Sequence, residues 1–402
     1  MFGIPIRKVI HLRSKVETKK ILLILDSKFE HWKGTQRFLY ELGSNLMSKG
    51  YKVVLIENSK FVLPDAPVKF DFVVPFKVIS VGFRKFFGVF MVPKGIVNKE
   101  KPDIVYAVNL NSLPFIVSTQ YKTIFGTHLL NISGFKRNNR YKRIQFNIKK
   151  VLFFAIVKFV WRNKNIMIHA LNTDQRDWIK KITHNRFPIR VIGNPVDCRI
   201  EESIAFLNHA KMNDRFTVLY FGSFSTERGF SEFLSIVRYI DAKQLKELFH
   251  FLIVGDGPLR SDAEKLSKLN NNITLLIRPT DEEKRNIMLS SDLFVFPSII
   301  ENFSFTAVEA QASGLPCLFS DITPLKNIAI EGKTGYCLSL EGSFEKRFFD
   351  KIQDYFQLWH NDYEGYRKMR VEIAEYTRRL CKENVLPQLL EMIESLLQNN
   401  EL

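Results

Sequence analysis

Residues 297–316 read PSIIENFSFTAVEAQASGLP, a loop that joins a buried strand to the start of a helix. The apolar run Leu293–Phe296 directly before it predicts that strand. In a doubly wound sheet the carboxyl ends of the strands face the ligand crevice, and a helix N-terminus offers backbone N–H groups to phosphate. We expect Glu309, in the helix, to accept two hydrogen bonds from a ribose diol, and Glu301, in the loop, to reach a sugar. The pair alone is not specific, since acids eight positions apart occur in many helices.

Outward from this loop, short β-branched runs alternate with segments of helical period, which predicts parallel sheets with crossover helices. A first series opens with a strand at Ile21–Leu25, a helix at Gly34–Lys49 and a strand at Tyr51–Ile56. Further strands of this series are predicted at 103–107 and 123–126. A second series follows Asn194-Pro195, with strands at 217–221, 250–254, 273–277, 293–296 and 316–319 and a helix from about Gly229.

The restart of the pattern predicts two Rossmann-like domains that face a central cleft. We place the first at residues 1–195, the second at 196–370 and a C-terminal helical segment at 371–402. The tail from Tyr363 to Gln398 is predicted to be helical, with a break near Pro387 and a return of the last helix towards the first domain.

Charge is distributed unevenly along the 402 residues. Residues 1–200 carry 36 Lys and Arg against 12 Asp and Glu, a formal +24. Residues 201–402 carry 23 against 30, a formal −7, which gives the net +17. The basic half indicates an anionic partner, either nucleic acid, an acidic membrane surface or a phosphorylated substrate, or else a solvated basic face without specific function. Segments 81–97 and 136–164 interleave aromatic and basic residues, which is typical either of a membrane-interface helix or of a core helix with solvated flanks.

Four cysteines, Cys198, Cys317, Cys337 and Cys381, form no CxxC pair and no metal-ligand spacing with His. So few cysteines in a long chain predict a reducing compartment and buried thiols. The basic start, residues 1–20, lacks the apolar core of a signal peptide. The strongest apolar run, 151–161, is interrupted by a lysine and is far shorter than the roughly 20 residues of a bilayer span. We therefore expect a protein that does not cross a membrane.

A series of motifs around the two acids resembles the retaining GT-B glycosyltransferases known as GT4, or glycosyl transferases group 1. The segment 220–229 (YFGSFSTERG) resembles the family's G-R-L-x-x-x-K-G loop, and 253–258 (IVGDGP) its G-D-G-P turn. The strand at 292–298, the helix at 309–316 and the turn at 332–335 match in order and spacing over about 160 residues. Residues 191–197 (VIGNPVD) resemble the start of the family's second domain, and 34–37 (GTQR) more faintly a glycine-rich loop of the first.

The resemblance implies transfer of a sugar from a UDP- or GDP-sugar to an acceptor hydroxyl, with retention of configuration and by front-face departure and attack. It implies a ribose contact for Glu309 and a sugar contact for Glu301, with no metal ion and no cofactor besides the nucleotide sugar. It also implies catalytic roles for Glu301, Arg228 and His128. His128 follows a first-domain strand, where the alternative is a capping or core histidine. The implied donor-binding residues are Gly222, Ser223, Arg228, Glu301, Asn302, Phe303, Ser304, Phe305 and Glu309.

The sequence departs from the family pattern at the phosphate clamp. Ser223 replaces the usual arginine and Arg228 the usual lysine. The loss of this arginine leaves three alternatives. Ser223 donates a hydrogen bond in its place, another basic residue substitutes for it, or the protein is slow or inactive. Asn302 and Ser304 stand where the family often has glycine, and their side chains either crowd the phosphate or bind it.

The resemblance and the basic first half together predict a hexosyltransferase-type enzyme on the cytoplasmic face of the inner membrane. It is expected to extend a lipid-linked glycan or polysaccharide and to bind an anionic membrane surface peripherally. The alternative is a catalytically impaired nucleotide-sugar-binding relative. Nucleic acid is not expected as a partner, because no nucleic-acid-binding motif is present.

Overall fold

The structure, a computed structural model, describes residues 18–28, 34–58, 72–75, 94–108, 121–128, 165–245 and 247–398. The basic aromatic segment 136–164 and residues 81–93 of the other such segment lie outside these ranges, as do residues 1–17 of the basic start.

The first sheet has seven parallel strands in the order β3-β2-β1-β4-β5-β6-β7. Ile21–Leu25 of β1 are buried on both faces, as a strand in the centre of a parallel sheet must be. On the first helix Phe38, Leu39, Leu42 and Leu46 face the core, as their helical spacing predicts. The strands are β1 Lys20–Lys28, β2 Lys52–Asn58, β3 Phe72–Pro75, β4 Ile104–Ala107, β5 Lys122–Gly126, β6 Ile166–Ala170 and β7 Ile189–Val191. The helices are α1 Gly34–Ser48, α2 Lys94–Glu100 and α3 Thr173–Thr183.

The second sheet has six parallel strands in the order β10-β9-β8-β11-β12-β13 and its own hydrophobic core. Its strands are β8 Phe216–Ser223, β9 Phe249–Asp256, β10 Ile273–Leu276, β11 Leu293–Phe296, β12 Cys317–Ser320 and β13 Gly335–Leu338. Its helices are α4 Ile200–His209, α5 Phe230–Asp241, α6 Arg260–Leu269, α7 Asp281–Ser290, α8 Phe305–Ala312, α9 Thr323–Lys326, α10 Phe344–Asn361 and α11 Tyr363–Thr377. The two parallel sheets confirm the predicted α/β class.

The last helix, α12 Lys382–Gln398, leaves the second domain and packs on the first. Leu389, Ile393 and Leu396 are fully buried in the core that contains α1 and β1. The Lys122 ammonium donates to the Leu397 carbonyl at 2.9 Å, which fastens the end of α12 to β5. The predicted return of the C-terminal helix is therefore confirmed.

The predicted break at Pro387 is wrong, because Pro387 lies inside α12. The helical tail is interrupted instead at residues 378–381, where a 3-10 turn ends at Cys381 in extended conformation. There Cys381 pairs with Val196 in a β-bridge, and the Lys382 N–H donates to the Val196 carbonyl at 2.8 Å. The break therefore falls where the chain crosses between the domains.

The expectation of buried thiols is also wrong for two of the four cysteines. Cys198 and Cys381 form a disulfide between residues 183 positions apart in sequence. They come together because the two segments that cross between the domains run side by side, a contact that cysteine spacing does not reveal. Cys317 and Cys337 are free, and Cys317 is buried. In the described residues no helix is long and apolar enough to span a bilayer.

Reduction of this disulfide is expected to lower the free energy of unfolding by about 2–4 kcal/mol, because the crosslink restricts the unfolded chain. The measurement is urea denaturation with and without a phosphine reductant. Cys337→Ser, at a free and half-buried cysteine, is the control and should respond to reductant as the parent does. A Cys198→Ser/Cys381→Ser variant that is as stable as the oxidised parent would contradict the expectation.

Candidate functional site

A cleft of about 520 Å³ lies between the two domains and is lined by both. The first domain contributes the start of α1, His128 after β5, and Leu171. The second contributes the end of β8, Arg228 and the loop 301–306 that leads into α8. Every residue that the sequence singled out as a site residue lines this cleft except Glu309. Those that line it are His128, Gly222, Ser223, Arg228, Glu301, Asn302, Phe303, Ser304 and Phe305.

Two glycines of the motifs are fixed by close backbone contacts. Gly229, after the 3-10 turn 226–228, has φ +67°, and a Cβ there would lie 1.8 Å from the Pro297 carbonyl oxygen. Gly255 has φ +145°, and its Cβ would lie 1.9 Å from the Gly222 carbonyl oxygen. Only glycine fits either position without backbone movement. The first of these contacts holds the β8–α5 turn against the exit of β11, next to Arg228 and Glu301.

Arg228 and Glu301 form an ion pair at the floor of the cleft. Glu301 is 5% exposed, and the Arg228 guanidinium also donates to the Ile300 carbonyl at 2.9 Å. Burial raises the pKa of Glu301, and the charge of Arg228 opposes that rise. Ser223 lies exposed at the rim, where the resembled family has arginine. Among the described residues that line the cleft, Arg228 is the one with a permanent positive charge.

Glu309 lies beside this cleft, in an adjoining polar cleft of about 620 Å³. Its Oε1 is 2.9 Å from the Arg37 Nη1 of α1, and its Oε2 is 2.5 Å from the Lys284 Nζ of α7. Burial raises the pKa of Glu309, but the charges of Lys284 and Arg37 outweigh burial and hold that pKa below its usual value. Glu309 is thus an ionised carboxylate that bridges the two domains through Arg37.

Sequence reasoning missed Lys284 and gave Arg37 no role of its own. Lys284 belongs to a run of charged residues at the start of α7. Such a run is typical of a solvated helix end. The Arg37 side chain contacts Glu309 across 272 positions of sequence. For Arg37, the sequence signal was the faint likeness of residues 34–37 to a glycine-rich loop.

Asn302 and Ser304 use their side chains within the protein. The Asn302 amide donates to the His128 carbonyl at 2.8 Å, and the Asn172 amide donates to the Asn302 carbonyl at 2.9 Å. Both bonds join the first domain to the loop of the second. The Ser304 hydroxyl caps α8 by accepting from the Ala307 N–H at 3.2 Å. These two side chains therefore set the position of the loop.

The predicted site residue His128 is buried against Phe38, with ring centroids 4.2 Å apart. Burial, and then nearby His169, lower the pKa of His128 well below its usual value, so the ring is neutral. Burial also lowers the pKa of His169, to about 4. Within the described residues neither ring nitrogen of His128 has a hydrogen-bond partner. A neutral imidazole provides one donor and one acceptor, and both nitrogens are buried at the edge of the cleft.

Asn302→Ala is expected to weaken closure of the two domains about five-fold, because it removes a hydrogen bond worth about 1 kcal/mol. The measurement is the fraction of closed protein by small-angle X-ray scattering. Asn361→Ala, at an exposed amide on α10, is the matched control and should leave the profile unchanged. Identical profiles for Asn302→Ala and the parent would count against a closing role for this bond.

Comparison with known proteins identifies the fold and a family match for part of the chain. The chain has the GT-B fold: sucrose-phosphate synthase from Thermosynechococcus elongatus superposes with a TM-score of 0.72 at 16% identity, over 94% of this chain and 99% of that one. Residues 203–380, somewhat less than half of the chain, match the family described as Glycosyl transferases group 1.

Two curated relatives are more similar in sequence but match less of the chain. A putative glycosyltransferase EpsF of Bacillus subtilis is 31% identical over 109 residues, which cover 27% of this chain. A UDP-Gal:alpha-D-GlcNAc-diphosphoundecaprenol alpha-1,3-galactosyltransferase of Escherichia coli is 26% identical over 249 residues, which cover 56%. The matched parts span 28% and 60% of the lengths of these relatives.

Proposed function

We propose that this protein is a retaining glycosyltransferase of the GT4 type that transfers a hexose from a UDP- or GDP-sugar to a hydroxyl of a glycan or lipid-linked acceptor. The observation that carries the proposal is the interdomain cleft, in which the Arg228–Glu301 pair, neutral His128 and the start of α8 converge. A site of this composition offers acceptors and donors to sugar hydroxyls and backbone N–H groups to phosphate.

In this proposal the diphosphate lies at the start of α8. The first N–H groups of a helix have no partner within it, and their partial positive charge favours an anion. The Ser304 hydroxyl accepts a hydrogen bond from the Ala307 N–H. The residues at the helix start that line the cleft are then Phe305 and Thr306, whose N–H groups are proposed to bind the diphosphate. Glu301 and His128 then hold the sugar hydroxyls, and Glu309 the ribose.

The reaction breaks the bond between the anomeric carbon and the phosphate oxygen, and the electron pair goes to the diphosphate. The acceptor oxygen attacks from the same face, and its proton passes to the leaving phosphate oxygen. Positive charge that is already in place at Arg228 stabilises the negative charge that develops. We propose that no metal ion takes part and that no further cofactor is needed.

We propose a lipid-linked acceptor at the cytoplasmic face of the inner membrane, in polysaccharide or glycoconjugate synthesis. The acceptor domain is the basic one, at a formal +24 for residues 1–200, and an anionic surface attracts Lys and Arg by about 1 kcal/mol each. The Escherichia coli relative is named for a diphosphoundecaprenol acceptor. Flotation with anionic and neutral liposomes tests this: binding to anionic vesicles that salt abolishes is expected, and no such binding would contradict it.

The redox state of Cys198 and Cys381 also tests the proposed cellular location, since disulfides are rare in reducing compartments. Alkylation of free thiols in acid-quenched cells measures the fraction of this cysteine pair that is oxidised in the cell. A pair that is fully oxidised in the cell would count against the cytoplasmic face.

The central test is a thermal-shift screen against UDP-, GDP- and ADP-sugars, followed by a transfer assay with the best donor. A ligand at 100 times its Kd stabilises by about 2.7 kcal/mol, which is enough to rank donors. Binding with turnover supports the enzyme, with Glu309→Ala as the negative control. Absence of binding to every donor contradicts the proposal.

A second candidate is a catalytically impaired nucleotide-sugar-binding relative with a regulatory role. It is favoured by the uncharged Ser223 and by the pairing of Arg228 with Glu301, which offsets the charge of Arg228. Donor binding without hydrolysis or transfer is the result expected of it.

A further inference from the structure

The charges of the cleft do not suffice for a diphosphate. Arg228 is offset by Glu301, Ser223 is uncharged, and the pKa of His128 keeps that ring neutral. The leaving group of the proposed reaction is a nucleoside diphosphate, whose charge grows as the sugar departs. A preorganised positive charge near it is usually the largest catalytic contribution.

Two cations that share one carboxylate lie directly beside the cleft. Glu309 carries one negative charge and contacts two cations, Arg37 and Lys284. Lys284 is 18% exposed, with its ammonium 5.5 Å from the centre of the Phe221 ring. Lys284 alone is enough to neutralise Glu309, and Glu41, one turn further along α1, is a second acid that interacts with the charge of Arg37.

Arg37 is the cation that can turn into the cleft. The three residues before it, Gly34–Gln36, line the cleft themselves. Its guanidinium stacks over Phe305, 4.7 Å from the ring centre, and Phe305 also lines the cleft. Its side chain keeps 35% of its surface exposed. A planar guanidinium with five donors binds phosphate bidentately, and Phe305, on which it stacks, is the first residue of α8.

We propose that Arg37, from the first domain, supplies the second positive charge for the donor diphosphate in place of the cation missing at position 223. The inference rests on the proposed function. When the ribose hydroxyls bind Glu309, Lys284 keeps its ion pair and Arg37 moves to the phosphates. As the anomeric C–O bond breaks, the electron pair on the phosphate oxygen is stabilised by Arg228 from one domain and by Arg37 from the other. The complete clamp therefore exists only when the domains are closed.

The alternative is a positioning role, in which Arg37 only orients Glu309 towards the ribose. The two roles differ in their effect on binding of the β-phosphate: an arginine that binds phosphate strengthens it, whereas one that only orients Glu309 does not. We therefore compare UMP with UDP, and GMP with GDP, by isothermal titration calorimetry on the full chain. Arg37→Met is expected to lower the ratio of the monophosphate Kd to the diphosphate Kd about ten-fold or more, the loss typical of a hydrogen bond to a charged group. Lys284→Met is the matched variant, and it should weaken both nucleotides by the same factor.

A rescue makes the test independent of folding defects. Ser223→Arg in the Arg37→Met background returns a cation to the rim and should restore the ratio. Equal weakening of both nucleotides by Arg37→Met, or no weakening, overturns the role of Arg37 while nucleotide binding stands. A parent protein that binds none of the four nucleotides overturns the proposed function, and this inference with it.

Discussion

Arg228→Met is expected to lower the rate of sugar transfer, kcat, by about 10²–10³-fold, the usual effect of removing one charge-stabilising group from a preorganised site. The guanidinium lies at the floor of the cleft, tied to Glu301 and to the Ile300 carbonyl. Methionine fills a similar volume but leaves the departing diphosphate without this cation. The measurement is steady-state kinetics with the donor found by the thermal screen.

The same substitution is expected to move the pH profile. Burial raises the pKa of Glu301 and Arg228 opposes that rise, so loss of Arg228 raises this pKa further. If the ionised carboxylate is the active form, its protonation on lowering the pH stops the reaction. The acidic limb of kcat against pH therefore moves to higher pH in Arg228→Met. A limb that stays in place or moves to lower pH would argue that Glu301 is not the group that titrates.

Two variants control for general effects of the change. Arg228→Lys keeps a point charge and should retain most of the activity, although it loses the bidentate geometry. Arg238→Met alters an exposed arginine on α5 and should leave kcat unchanged. Activity of Arg228→Met within about three-fold of the parent would remove this residue from the proposed mechanism.

The strands and the loop could be predicted because their signals are local. Leu293–Phe296 is a strand with the predicted bounds, since a short apolar run before a turn has few other ways to bury itself. Gly229 and Gly255 sit where a side chain would meet backbone, which explains why these motif positions are glycine. Glu301 therefore lies in the cleft that its position after β11 indicated.

The contacts that complete the site could not be predicted, because they join residues distant in sequence. Lys284 of α7 meets Glu309 of α8 only in the folded protein, and the Cys198–Cys381 pair depends on two crossings that run side by side. The family pattern gave Asn302 and Ser304 as neighbours of phosphate, whereas the structure uses the first between domains and the second as a helix cap. Charge balance in the cleft follows from these contacts and not from motif spacing.

Arg370→Met is expected to lower the free energy of unfolding by about 3–5 kcal/mol, the cost of leaving a buried charge and its partners uncompensated. Arg370, on α11, is 3% exposed. It donates to the Leu289 carbonyl at 3.0 Å and to the Gly314 carbonyl at 3.2 Å, and it faces Asp292 at 4.0 Å. Burial raises the pKa of Asp292, and the charge of Arg370 opposes that rise.

This arginine joins the end of α7, the end of α8 and the residue before β11, the elements that carry Lys284, Glu309 and the Glu301 loop. Its removal should therefore reduce donor binding although it lies outside both clefts. Lys368→Met is the matched control on the same helix: Lys368 is exposed, so a change of about 0.5 kcal/mol or less is expected. Urea denaturation of both variants separates them. Equal midpoints would show that the buried arginine does not hold these elements together, and the site would then depend on the hydrophobic core alone for its geometry.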